Sequence, residues 1–176
     1  MPPWAGESWS PPPLPSYGTA LMSRRRNAIT LDDVSKAIIE QLQQDGRRSY
    51  AAIGKVVGLS EAAVRQRVQR LTESGVMQVV AVTDPLQLGF ARQAMVGIRA
   101  RGELEVVAEA IADLDEVDYV VITAGTYDIL AEVVAESDDH LLELISTKLR
   151  TIPNVDSTET FMYLKLQKQT YSWGVR

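Results

Sequence analysis

Cysteine is absent from the 176 residues, and histidine occurs once, as His140. Without cysteine there is no disulfide, no thiolate nucleophile and no sulfur-ligated metal centre. With one histidine, no His-rich ligand set can form, and no cluster of His, Asp and Glu has metal-ligand spacing. No nucleophile–base pair and no glycine-rich phosphate loop are visible. An enzyme is therefore not expected, nor a cofactor or metal. His140 itself, just before Leu141 on a predicted helix, reads as solvated. No run approaches the ~18 consecutive apolar residues of a membrane span. The N-terminus lacks a basic stretch leading into an apolar core, so no signal peptide is expected and a cytoplasmic setting fits.

Net charge is −5, with 45% hydrophobic and 23% charged residues, a globular composition. The charge is unevenly spread. Residues 24–75 hold ten Lys/Arg against six Asp/Glu, +4, and residues 76–176 hold eight against sixteen, −8. A basic first module on an acidic second one is the pattern expected if only the first meets phosphate.

Residues 1–28 contain most of the eight prolines and show no helical or strand period, so they read as a disordered tail. Met22, followed by Arg24, Arg25 and Arg26, resembles a second start site; the three arginines are either a basic arm for DNA or plain solvated charge. Residues 29–75 read as three helices. The first runs from about Asp32 to Gln44, with Leu31, Val34, Ile38, Ile39 and Leu42 inward. The second spans Tyr50–Val57 behind a Ser49 cap, with Ala52, Ile53, Val56 and Val57 inward. Gly58, suited to positive φ, and Leu59 make a turn, and Ser60 caps a third helix. On that helix Val64, Val68 and Leu71 form one stripe, so at about 100° per residue Ala62, Arg65, Gln66 and Gln69 face the other way.

Three short helices with this turn have helix-turn-helix spacing. Arginine suits the O6/N7 edge of guanine and glutamine the N6/N7 edge of adenine, so Arg65, Gln66 and Gln69 are candidate base readers. An ordinary solvated helix face carries the same residues. Arg47, Arg48, Ser49 and Ser60 stand at helix starts, where phosphate is commonly held.

Residues 76–92 read as a linker. Its valine-rich part, Val76–Thr83, is expected to be a strand serving as a wing, a connection or both, broken by Asp84-Pro85. Residues 93–168 carry an internal repeat: Leu104, Val107, Ile111, Leu114, Val117 and Asp118 recur 38 positions later as Leu142, Ile145, Leu149, Ile152, Val155 and Asp156. Each copy reads strand, helix, strand: Ala94–Ala100, Leu104–Leu114 and Asp118–Ala124, then Tyr127–Ala135, Asp138–Arg150 and Ser157–Leu166. Two copies give βαββαβ, the ferredoxin-like arrangement. Both helices then cover one face of the sheet. Neither strand face is polar: Tyr119, Val121 and Thr123 oppose Val120, Ile122 and Ala124, and Phe161 and Tyr163 oppose Met162 and Leu164, so whichever face stays uncovered is apolar and a homodimer would bury it by symmetry. Residues 169–176 read as a C-terminal tail.

Between the copies lies Gly125-Thr126-Tyr127-Asp128, a short turn in which Gly125 suits the dihedral. It is either a plain hairpin or a set of groups able to hold an amino acid: Asp128 for the ammonium, Thr126 and turn amides for the carboxylate, Tyr127 as a wall. Thr158 and Thr160 on the last strand would complete the site.

The chain resembles the leucine-responsive and asparagine-responsive (Lrp/AsnC) transcriptional regulators. The matching residues are Leu31-Asp32 with Ile38-Ile39, Leu42-Gln43 and Asp45-Gly46-Arg47; Val57-Gly58-Leu59-Ser60; Arg67-Val68-x-Arg70-Leu71 with Gly75-Val76; and Gly125-Thr126-Tyr127-Asp128. The resemblance spans about 31–168. It implies an α+β chain, with an N-terminal winged helix-turn-helix on double-stranded DNA and a C-terminal ferredoxin-like βαββαβ effector domain. It also implies dimers, often assembled into octamers, and small effectors, commonly amino acids, bound between dimers near that turn. The expected function is a sequence-specific regulator of amino-acid-related metabolism. The competing reading is a stand-alone amino-acid-binding oligomer without specific DNA readout; salt-sensitive duplex binding separates the two.

Overall fold

The computed structural model describes residues 31–169, and the chain divides between Val79 and Val80 into two compact units. The tail, its arginines and Met22 lie outside the described residues, as do residues 170–176 of the C-terminal tail.

The first unit holds α1 (Asp33–Gln44), α2 (Tyr50–Val57) and α3 (Glu61–Glu73). Each begins on an oxygen-bearing cap. Asp32, Ser49 and Ser60 accept hydrogen bonds from the amides of Ser35, Ala52 and Ala63. Asp32 also binds Arg67 of α3, at 2.7 and 3.0 Å, tying the first helix to the third. The bonds from Ser35 and Arg67 hold its carboxyl well below the usual range, at about 2. Ile38, Leu42, Ile53, Val64 and Val68 are the buried core.

Two expectations fail on α2. Ala52 and Val56 are exposed, Val56 by 64%. The inward positions are instead Tyr50, Ile53, Gly54 and Val57, at i, i+3, i+4 and i+7. Gly54 occupies a core position because the α2–α3 turn closes on it. A Cβ there would lie 2.4 Å from the Leu59 carbonyl oxygen, and the Leu59 amide donates to the Gly54 carbonyl at 2.9 Å. Gly58 takes the left-handed conformation at φ 72°, as the turn requires.

Val76–Thr83 is not a strand. It has no ladder partner among the described residues, and Val76, Val79, Val80 and Val82 are exposed. High β propensity does not make a strand without a neighbour to take its backbone hydrogen bonds. A single 3₁₀ turn, Pro85–Leu88, follows.

The second unit is βαββαβ: β1 (Arg92–Ala100), α4 (Leu104–Ala112), β2 (Val117–Ile122), β3 (Ile129–Ala135), α5 (Asp138–Glu143) and β4 (Val155–Met162). The sheet order is β2-β3-β1-β4, antiparallel throughout. Ala94, Val96 and Ile98 of β1 and Ile129, Ala131, Val133 and Ala135 of β3 pack beneath Val107, Ile111, Leu141, Leu144 and Leu149.

The second helix departs from its repeat. After Glu143 it widens into a π turn, Leu144–Lys148, then tightens to 3₁₀ at Leu149–Thr151. With one extra residue in that turn, the buried side chain that follows Leu144 is Leu149 rather than Lys148. Lys148 instead binds Glu116, in the connection before β2.

Glu116 is 11% exposed and lies 3.1 Å from His140 Nε2. His140 is thus a half-buried partner, not a solvated residue. Burial opposes the Glu116 charge, but the bonds from Lys148 and His140 outweigh it and hold the carboxyl below its ordinary 4.5. A depressed carboxyl adds stability above its unfolded pKa, which is lost as pH falls through its folded one. Melting of this unit should therefore fall as pH drops through and below the ordinary carboxylate range. Glu116→Gln should flatten that part of the profile, as read by circular dichroism.

Candidate functional site

On α3, the three buried residues Val64, Val68 and Leu71 turn Ala62, Arg65, Gln66 and Gln69 outward, and all four are exposed. Arg65 is held on two sides, by Glu61 at 2.8 Å and by the Tyr50 ring, whose centroid is 5.3 Å from the guanidinium carbon. Gln69, also exposed, donates to Glu73 at 2.8 Å. The structure therefore brings the three candidate base readers onto one face.

The helix starts beside them differ in freedom. Arg47 is almost fully exposed, at 97%. Arg48 is half-buried and donates to Gln41 of α1, so one edge of its guanidinium is committed to the fold. Ser49 and Ser60 accept from their helix amides, which leaves each hydroxyl proton to donate outward.

In the second unit, β2 and β3 are joined by the residues between Ile122 and Ile129, a longer connection than a tight hairpin. Gly125 is exposed, is not in the left-handed region, and a Cβ there would meet nothing within 4 Å. Its expected dihedral role is thus corrected: a six-residue connection needs no special φ at that position. Thr126 is exposed beside it. Asp128 closes the connection. Its amide donates to the Ile98 carbonyl at 3.0 Å, and its Oδ2 accepts from the Ala100 amide at 2.9 Å.

Tyr127 folds onto the sheet face opposite the helices. Its ring fills the space above Gly97, where a Cβ would come within 2.7 Å. Its hydroxyl donates to Glu159, Phe161 meets its ring edge-on at 5.9 Å, and the Arg99 guanidinium stands 6.0 Å from its centroid. The bond to Glu159 raises the phenol above its ordinary pKa.

Thr158 and Thr160 are not in this group. They pair with Ile98 and Val96, whose side chains are buried on the helix-covered face, and Thr158 accepts from Arg150 on that side. Side chains alternate along a strand, so the neighbours Glu159 and Phe161, paired with Gly97 and Met95, share a face with Tyr127. The open face carries Tyr119, 51% exposed, and Phe161, 43% exposed, as a surface awaiting a partner should.

Residues 31–72 match the model of the AsnC-type helix-turn-helix domain, and residues 92–176 match a C-terminal dimeric alpha+beta barrel domain of the AsnC regulators. The chain belongs to the AsnC/Lrp family. It is 34% identical over 144 residues to an HTH-type transcriptional regulator of Pyrococcus furiosus, covering 81% of this chain and 97% of that one. Among solved structures, the leucine response regulatory protein of Mycobacterium tuberculosis superposes with a TM-score of 0.72 at 27% identity, over 79% of this chain and 96% of that one. A transcriptional regulator of Neisseria meningitidis in complex with L-Met has a TM-score of 0.70 at 23% identity, over 81% and 96%.

This AsnC/Lrp chain is accordingly a transcriptional regulator with a helix-turn-helix DNA-binding domain, not an enzyme. Its family has a dimeric C-terminal domain. No described helix is long and apolar enough to cross a membrane, and no group of three or more metal-ligating side chains occurs among the described residues.

Proposed function

We propose that this regulator reads a specific double-stranded DNA site with Arg65, Gln66 and Gln69 and controls genes of amino-acid-related metabolism in response to an amino acid. Arg47, Arg48, Ser49 and Ser60 hold the flanking phosphates. The supporting observation is the exposure of the three readers on one face of α3, above two serine-capped helix starts. Dimers place two such helices on half-sites about one DNA turn, roughly 34 Å, or a multiple apart. Further assembly into octamers joins several dimers.

The effector sits at Gly125, Thr126, Tyr127 and Asp128. The related Neisseria regulator bound to L-Met supports an amino acid as ligand. Above Gly125 there is open space. Asp128 spends Oδ2 on the Ala100 amide, and its other oxygen pairs with the ligand ammonium, a charge-assisted bond. A ligand that favours one oligomeric arrangement changes the spacing of the DNA-reading helices, with coupling of about 1–3 kcal/mol.

Thermal-shift screening of the twenty amino acids against the full chain tests this reading. One or a few should raise the melting temperature and alter duplex affinity modestly. Asp128→Asn should abolish that shift while leaving ligand-free DNA binding nearly intact. A variant that still responds fully would place the effector elsewhere.

A further inference from the structure

Arg65 meets two partners before any DNA arrives. Its Nη2 lies 2.8 Å from Glu61 Oε1, one helical turn earlier, and its guanidinium lies over Tyr50, the first residue of α2. Both members of the ion pair are more than half exposed, at 63% and 53%. Such a pair adds little to stability. Its position gives it a different consequence. Glu61 is the first residue of α3, and the N-terminal residues of a recognition helix are those nearest the base edges. A carboxylate there faces a dense array of phosphates, and its charge opposes binding unless a partner satisfies it.

We propose that Glu61 is a specificity-determining residue, which withholds Arg65 from phosphate and releases it to a guanine. The proposal rests on the reading of α3 as the helix that contacts bases. On an arbitrary duplex, an Arg65 that turns to a phosphate leaves Glu61 unpaired among negative charges, so the exchange gains little. On the right duplex, guanine O6 and N7 take the guanidinium edge, and Glu61 accepts instead from a cytosine N4 amine. Both partners of the broken pair are then satisfied, and only by that sequence. Tyr50 stays stacked against the guanidinium throughout and limits the orientations Arg65 can take. The preferred site should accordingly contain G·C pairs where α3 enters the groove.

The test uses the full chain and a best duplex selected by it from a randomised pool, beside a scrambled duplex of the same composition. Glu61→Gln should bind the scrambled duplex more tightly. Its salt slope there should steepen by about one phosphate contact, ~0.9 in log–log terms. The ratio of scrambled to selected Kd should fall roughly fivefold or more, the lower bound for losing one good base contact. In an Arg65→Ala background the same substitution releases no arginine, so the salt slope should not steepen. Tyr50→Phe should keep the ratio and Tyr50→Ala should lower it. If Glu61→Gln leaves ratio and slope unchanged while Arg65→Ala collapses the ratio, Arg65 reads bases and the role given to Glu61 is wrong. If Arg65→Ala itself leaves the ratio intact, the reading of α3 falls, and this proposal falls with it.

Discussion

Gly54→Ala should unfold the helix-turn-helix unit well below the melting temperature of the wild type. In an unconstrained helix interior the substitution would help, by about 0.8–1 kcal/mol. Here the added methyl would lie 2.4 Å from the Leu59 carbonyl oxygen, a backbone atom in the turn that sets α3 against α2. Overpacking of this kind costs about 1–3 kcal/mol, so the clash outweighs the propensity gain. The turn cannot yield without moving α3, so DNA affinity should fall with stability. Calorimetry should show the transition of the first unit shifted down and that of the second in place. Gly125→Ala is the control. Its Cβ meets nothing within 4 Å, and the variant should melt like the wild type.

Gly97→Ala should have a comparable effect on the second unit. The new methyl would meet the Tyr127 ring at 2.7–2.8 Å, and the ring is wedged between Phe161, Arg99 and Glu159. Displacing Tyr127 should cost about 1–3 kcal/mol and erase the amino-acid thermal shift proposed above. A second substitution, Tyr127→Ala, removes the obstacle. Thermal melts should show Gly97→Ala/Tyr127→Ala less destabilised than the two single changes added together. Simple additivity would mean that ring and methyl do not collide.

Much of the architecture is legible in the sequence because local chemistry and tertiary need agree there. Ser49 and Ser60 cap the helices they were expected to cap, and Gly58 takes its left-handed turn. The repeat correctly implied two strand–helix–strand copies in one antiparallel sheet. The failures come from interactions between distant residues. Sequence alone puts Thr158 and Thr160 beside Tyr127, but strand parity is fixed by pairing, and the pairing puts Glu159 and Phe161 there instead. A register displaced by one residue exchanges the faces. Gly54 and Gly97 look like gaps in an apolar pattern, yet each marks a close approach. The signal was present, since an isolated glycine inside a helix or strand pattern often means that something must come near. The π turn at Leu144–Lys148 had no such marker, and the Glu116–Lys148 pair that accompanies it joins residues 32 apart in sequence. The valine run of 76–83 has strand composition but no partner strand within the described chain.

The central claim is that the outward face of α3 selects one DNA sequence from others. Equilibrium binding of Arg65→Ala and wild type to the selected and scrambled duplexes, across a salt series, tests it most directly. Wild type should prefer the selected duplex. Arg65→Ala should lose about 1–3 kcal/mol on it while keeping salt-sensitive binding to the scrambled one. A folded Arg65→Ala protein that binds the selected duplex as tightly as wild type, with the same preference, would contradict the account.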